Sequence, residues 1–222
     1  MPLPSTGREV GIDLGVTNLV ATSDEELIIG EHFSSAALTR LSTAQRELSR
    51  KQHGSKRRRR QVENVARLHR KVKNQRLNAS HKVSRRLVHD YDVIVLEDLN
   101  ITNLVRKPNA KVDPEKPGAF LPNGAAAKAG LNRSIYAAGW GNLTSQLSYK
   151  AESAGRTVVR VNPRYTSQRC AECGHDEPGN RVTQEEFHCR HCGHEAHADV
   201  NAARNILRAG RARLASTSDG RS

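Results

Sequence analysis

Aromatic residues are scarce in this sequence of 222 residues: three phenylalanines, four tyrosines and one tryptophan, 4% in all. That scarcity excludes a surface whose main grip on its partner is stacking. Acids are short relative to bases, 23 against 36, which leaves a net charge of +13 and a pI near 10.1. So basic a chain predicts a polyanionic partner, nucleic acid first, held through phosphates and sensitive to salt. No apolar run approaches the ~20 residues that cross a bilayer, so no membrane partner is expected. No secretory leader is visible, since MPLPSTGREVGIDLG runs straight into a strand pattern. The cysteines number only four, in two CxxC pairs. That usage points to metal rather than disulfides, in a reducing cytoplasm. A cytoplasmic, nucleoid-associated protein is the expectation. The length suits one domain plus a small module.

What is present starts with three short apolar runs. EVGIDL (9–14), NLVAT (18–22) and LIIGEHF (27–33) predict an antiparallel meander, with Gly15 and Ser23–Asp24 at the turns. From Leu38 to Asp90 there are 17 Lys or Arg and three acids, Glu47, Glu63 and Asp90. Val65, Leu68 and Val72, then Val83 and Leu87, recur at helical spacing, which predicts helices over about 38–51 and 57–90. One stripe packs inward and the rest is basic. Arg57, Arg58, Arg59, Arg60, Arg70, Lys71, Lys73, Arg76, Lys82, Arg85 and Arg86 are the candidate phosphate contacts on these helices. VIVL (93–96) reads as a strand buried on both faces, ending at Glu97. Residues 106–130 hold four prolines and read as a mobile loop. A helix is expected over 131–154, a fifth strand at TVVRV (157–161), and a last helix from Asp199, with a disordered tail after Gly210. The order predicts an α/β fold, a mixed sheet with flanking helices.

Two groups of residues carry chemistry. Cys170, Cys173, Cys189 and Cys192 have the CxxC-x15-CxxC spacing of a zinc ribbon. Each pair spans a tight turn, and Gly174 and Gly193 follow where a knuckle needs unusual dihedrals. Four sulfurs close a Zn²⁺ site with no position left for water, so this zinc would be structural. His175, His188, His191, His194 and His197 crowd the same region and read as surface histidines. The second group is three acids at element ends: Asp13, Glu97 and Asp199. Asp13, among Val10, Ile12 and Leu14, would cost several kcal/mol if buried unpaired. A hard cation, Mg²⁺ or Mn²⁺, removes that cost. Two such ions about 4 Å apart can hydrolyse a phosphodiester. Arg164, Thr166, Ser167 and Gln168 lie where Glu97 and Asp199 should converge and are expected to bind the scissile strand or shape the ribbon.

GIDLGVTNL (11–19), the Arg-rich stretch ending NQRLNASHKVSRRL (74–87), IVLEDLNI (94–101), LNRSIYAAGWGNL (131–143), YKAESAGRTVVRVNPRYTSQRCAECG (149–174) and HADVNAARNIL (197–207) together resemble the TnpB (OrfB) family of transposon-encoded proteins, relatives of the type V CRISPR nucleases. The resemblance runs in order along nearly the whole sequence. It implies an RNase H-like (RuvC) fold, with Asp13, Glu97 and Asp199 as catalytic acids holding Mg²⁺ or Mn²⁺ and Zn²⁺ at the four cysteines. It also implies RNA-guided cleavage of DNA, with a guide RNA as partner. The expected organisation is a nuclease core over 7–165 with a helical insertion at 38–90, a zinc ribbon at 166–196, the last nuclease helix at 197–210 and a tail at 211–222. Family members usually carry well over a hundred residues ahead of the GIDLG strand, and the domains that grip the guide and read the target-adjacent motif are expected to be missing here. A non-catalytic nucleic-acid-binding regulator is the alternative reading. Ala137 stands where the family often has an acid.

Overall fold

A computed structural model describes residues 2–29 and 35–219. Three strands, β1 (Glu9–Asp13), β2 (Asn18–Thr22) and β3 (Leu27–Ile29), form the expected antiparallel meander. Residues 30–33 of the predicted third strand lie outside the described residues. Two helices follow, α1 (Ser35–Ser49) and α2 (Lys56–Asp90), then β4 (Val93–Glu97), the short α3 (Ile101–Leu104), a small hairpin of β5 (Lys111–Val112) and β6 (Phe120–Leu121), α4 (Ala125–Ala138), α5 (Trp140–Ala154) and β7 (Thr157–Val161). That last strand joins a five-stranded sheet at one edge, next to β4, which pairs in parallel with β1. The result is a mixed sheet with helices on both faces.

Strand alternation decides what each face holds. Val10 and Ile12 of β1 and Ile94 and Leu96 of β4 point to one face, where they are fully buried against Leu87 of α2 and Leu143 and Leu147 of α5. Each such side chain contributes ~1.5–3 kcal/mol by leaving water. Gly11 and Asp13, and Val95 and Glu97, point to the other face, which is covered by the final helix, α6 (Ala198–Asp219).

The basic segment is a helical hairpin. The C-terminal part of α2 packs on α5 through a buried polar seam, where Ser80 donates to the Gln146 side chain at 2.8 Å. Its N-terminal part packs with α1 in a separate cluster of Ala37, Leu41, Val72, Val65 and Leu68. With 35 residues α2 is about 52 Å long, so the hairpin projects beyond the sheet.

Three expectations need correction. Residues 106–130 are not one loop: Lys111–Val112 and Phe120–Leu121 pair as a small antiparallel hairpin, β5 and β6, and α4 starts at Ala125. The helix expected over 131–154 is two helices, broken at Gly139, whose φ of +70° ends α4 and starts α5. The tail is not disordered from 211, since α6 continues to Asp219. Arg211 pairs with Glu9 at 2.7 Å, Arg213 donates to the Arg160 carbonyl, and Leu214 packs against the Val95–Val159–Val161 cluster, which holds this extension on the sheet. Residues 220–222 lie outside the described residues.

Candidate active site and metal centre

The acids converge because a helix runs antiparallel to a strand at very short range. A Cβ at Gly11 would lie 2.1 Å from the Ala203 carbonyl oxygen, and one at Gly210 would lie 2.5 Å from the Val95 side chain. Only glycine at these two points lets α6 lie this close to the sheet. From Ala203 back to Asp199 the helix rises about 6 Å. From Gly11 forward to Asp13 the strand advances about 6.6 Å. The two spans match, so Asp199 arrives level with Asp13. Glu97 stands one residue beyond the Ile12–Leu96 pair on the adjacent parallel strand.

The electrostatics agree with this placement. The Asp13 carboxyl is pushed up to about 7, first by burial, then by the negative charges of Glu97 and Asp199. Arg181 and the backbone N–H of Leu14 pull the other way. Burial also raises Glu97, opposed by a hydrogen bond from the Thr166 hydroxyl to its Oε1. Asp199 is buried and accepts from the Arg181 guanidinium at 2.9 Å. Three carboxylates gathered without a full complement of cations offer oxygen donors of the type that hard cations take. They are not drawn tight: among the described residues, only the four cysteines bring all their ligand atoms within 4.8 Å of one another.

In the cysteine cluster the Cys170 and Cys192 Sγ atoms are 3.7 Å apart, and those of Cys173 and Cys189 are 3.6 Å apart. Tetrahedral zinc with four thiolates requires S···S edges of about 3.8 Å, so the cluster is consistent with a structural zinc. The two knuckles are built alike. Cys170 N–H donates to the His175 carbonyl and Gly174 N–H to Cys170; Cys189 N–H donates to His194 and Gly193 N–H to Cys189. Gly174 and Gly193 have φ of +78° and +75° with open space around them, so conformation rather than room requires glycine here. The strands Glu186–His188 and Glu195–His197, β8 and β9, complete the ribbon.

Several residues that matter at this site gave no signal in the sequence. Asn201 and Asn205, one turn apart and buried on α6, bind the chain as it enters the ribbon. Asn201 donates to the Arg169 carbonyl and accepts from Ala171 N–H; Asn205 donates to the Thr166 and Arg169 carbonyls. Their i, i+4 spacing in DVNAARN is the clue that could have found them. Fully buried Asn180 does the same inside the ribbon, donating to the Gln168 carbonyl. Trp140 donates its indole N–H to the Gly15 carbonyl at 3.0 Å, which ties α5 to the loop after Asp13. Thr166 was expected near the acids, and it lies against Glu97.

The predicted phosphate contacts divide. Arg57, Arg59, Arg60, Arg70, Lys71, Lys73, Lys82, Arg85 and Arg164 are exposed. Arg58 is half-buried and clamps the hairpin turn, donating to the Leu48 carbonyl at 2.8 Å and to that of Lys51. Arg86 is bound by Glu26 and lies near Asp90. Arg76 is half-buried, and burial lowers its pKa. Arg58 and Arg86 thus already make contacts within the fold. Among the described residues no helix is long and apolar enough to cross a membrane.

Comparison with known proteins adds three findings. The family described as "Probable transposase" (OrfB_IS605) matches residues 1–107, and that described as "Cas12f1-like, TNB domain" matches residues 140–206. The chain is 40% identical to "Putative RNA-guided DNA endonuclease InsQ" of Escherichia coli (strain K12), over 96% of this chain and 52% of that protein. It is 37% identical to a "Putative RNA-guided DNA endonuclease" of Streptomyces pristinaespiralis, over 94% of this chain and 47% of that one. It thus spans about half the length of these curated relatives. Among solved structures, the cryo-EM structure of a Cas12f1–sgRNA–target DNA complex matches with a TM-score of 0.61 over 93% of this chain and 51% of that one, at 16% identity. At that identity the likeness speaks for the fold.

Proposed function

The chain belongs to the TnpB/OrfB family, and from that premise we propose that it is the catalytic portion of a metal-dependent DNA endonuclease that works under RNA guidance. The observation that carries the reading is the convergence of Asp13, Glu97 and Asp199 at one end of the sheet, where burial first, and then the charges of the other two, raise the Asp13 pKa to about 7. These three residues would hold Mg²⁺ or Mn²⁺. Such a cation would supply Lewis-acid polarisation of a phosphate and would offset the carboxylate charge that repels it.

This chain's own residues support that chemistry. The Thr166 hydroxyl fixes the orientation of Glu97. Arg181, anchored on the Gln184 carbonyl, holds Asp199 and adds a positive charge that lowers the Asp13 pKa. The zinc ribbon would fix the distance between them, because Arg181 lies inside it and Asn201 and Asn205 tie its base to α6. The exposed arginines of the α1–α2 hairpin would track a nucleic-acid backbone, in keeping with the guide RNA and target DNA named for the Cas12f1 complex.

The test compares the wild-type chain with Asp13→Ala on single-stranded DNA in Mn²⁺. Cleavage by the wild type, reduced about 10²- to 10³-fold in the variant, is expected, in the range that loss of one charge-stabilising group costs. Equal cleavage by the two proteins, or no binding of Mn²⁺ by either, overturns the proposal.

A further inference from the structure

We infer that Tyr165 is a stacking platform for an unpaired nucleobase beside the carboxylate site. The inference rests on the proposed nucleic-acid chemistry of that site and names a part of the substrate, a single strand, that the acids alone do not select.

Tyr165 is one of two non-glycine residues with positive φ among the described residues, at +67°. An aromatic residue in the left-handed region is strained, and such strain persists only where the surroundings over-determine it. Here they do. Arg164 N–H donates to the Asn162 side chain, the Thr166 hydroxyl to the Pro163 carbonyl, and Gln168 and Arg169 N–H both to the Tyr165 carbonyl. Asn205 binds the Thr166 carbonyl from α6. The loop is therefore built from backbone bonds and from neighbouring side chains.

The Tyr165 side chain contributes to none of this. Its ring is part of a residue 59% exposed. Neither it nor the adjacent exposed Arg164 has a side-chain partner among the described residues. The next residue is Thr166, buried, with its hydroxyl on Glu97. The fold thus holds a strained backbone to present an unused aromatic ring and an unused guanidinium one residue from a carboxylate ligand.

A ring and a guanidinium on consecutive exposed residues suit a nucleotide, one for the base face and one for the phosphate. A duplex hides its base faces and a single strand offers them. Stacking of this kind tolerates any sequence, as a cleavage site that must accept many targets requires. In a chain with 4% aromatics, one placed ring can set strand type without setting sequence.

The experiment uses the full chain in EDTA with a short oligodeoxynucleotide carrying 2-aminopurine, whose fluorescence falls on stacking. The wild type should quench the single strand. Tyr165→Gly, which relieves the backbone strain and should melt no lower than the wild type, should lose the quenching and roughly tenfold in single-strand affinity. Duplex affinity should stay within about twofold, and Tyr165→Trp should restore both readouts. Unchanged quenching in Tyr165→Gly, or an equal loss for single strand and duplex, overturns the inference. Because no cleavage is read, its failure is separate from that of the nuclease reading. Quenching without cleavage in Mn²⁺ would leave this inference standing and sink the other; cleavage with no dependence of stacking on Tyr165 would do the reverse.

Discussion

The four cysteines and the three acids are the two candidate ligand sets, and they are assembled in opposite ways. The cysteines come from 23 consecutive residues, in two knuckles that repeat the same backbone hydrogen bonds. Each knuckle is defined by its own turn and its own glycine. The acids come from positions 13, 97 and 199, and nothing local brings them together. Their convergence depends on a parallel strand pair, on a helix laid antiparallel across it, and on two glycines that let the helix come close. A locally built site can be read from spacing. A globally built one is only as secure as the packing beneath it, and it stays electrostatically uneasy until a cation arrives.

The largest effect should come from breaking the local site. Chelation, or Cys170→Ser, should release zinc and unfold the ribbon, since such modules draw roughly 10 kcal/mol of folding free energy from the metal. Elemental analysis and circular dichroism read this directly. Arg181 and the buried asparagines join the ribbon to Asp199, so Mn²⁺ affinity should fall too. Intact Mn²⁺ binding by a zinc-free ribbon would show that the two sites are independent.

A smaller effect tests the global site through its packing. Gly11→Ala puts a methyl into the backbone of α6 and should destabilise the chain by about 3 kcal/mol. It should also displace Asp199, weakening divalent binding while leaving zinc stoichiometry unchanged. Calorimetry with and without Mn²⁺ separates the two consequences. Zinc loss in this variant would contradict the division drawn here.

The smallest effect is a titration. The Asp13 carboxyl sits near 7 when folded and near its ordinary value of about 3.9 when unfolded. Between those values the metal-free folded chain holds a proton that the unfolded chain has lost. Stability should therefore fall as pH rises through that window and level off above it. Divalent affinity should rise over the same window, because the ion needs the carboxylate. Asp13→Asn should flatten both curves, abolish cleavage and raise metal-free stability at neutral pH by ~2 kcal/mol. A stability curve that rises with pH from 4 to 7 would reject this account of Asp13.

The same contrast governs what could be read in advance. The cysteines, the meander and the all-apolar β4 were legible because spacing or periodicity encodes them locally. The acids were legible as candidates through their places at element ends and through resemblance, but their approach depends on Gly11 meeting Ala203 across 192 positions. The break at Gly139 was hidden because one αL glycine inside GWGNL interrupts no hydrophobic pattern. Prolines and glycines in 106–130 concealed Ala125–Ala126–Ala127, a start in the best helix former. The last turns of α6 read as tail because small polar residues say nothing of Glu9, Arg160 and the apolar cluster that hold them. Arg58 and Arg86 read as phosphate contacts because charge density does not reveal the Leu48 carbonyl or Glu26.

The contact between Trp140 and the Gly15 carbonyl has a practical consequence. The chain has one tryptophan, and its indole is hydrogen-bonded two residues from Asp13. Indole emission from the unlabelled protein, excited beyond the tyrosine absorption, therefore originates from a single spot beside the acids. A paramagnetic ion such as Mn²⁺ arriving at Asp13 would be seen as quenching, and any slackening of the loop after β1 as a red shift. The site thus contains its own optical gauge, wired to the end of the strand where the chemistry is proposed to take place.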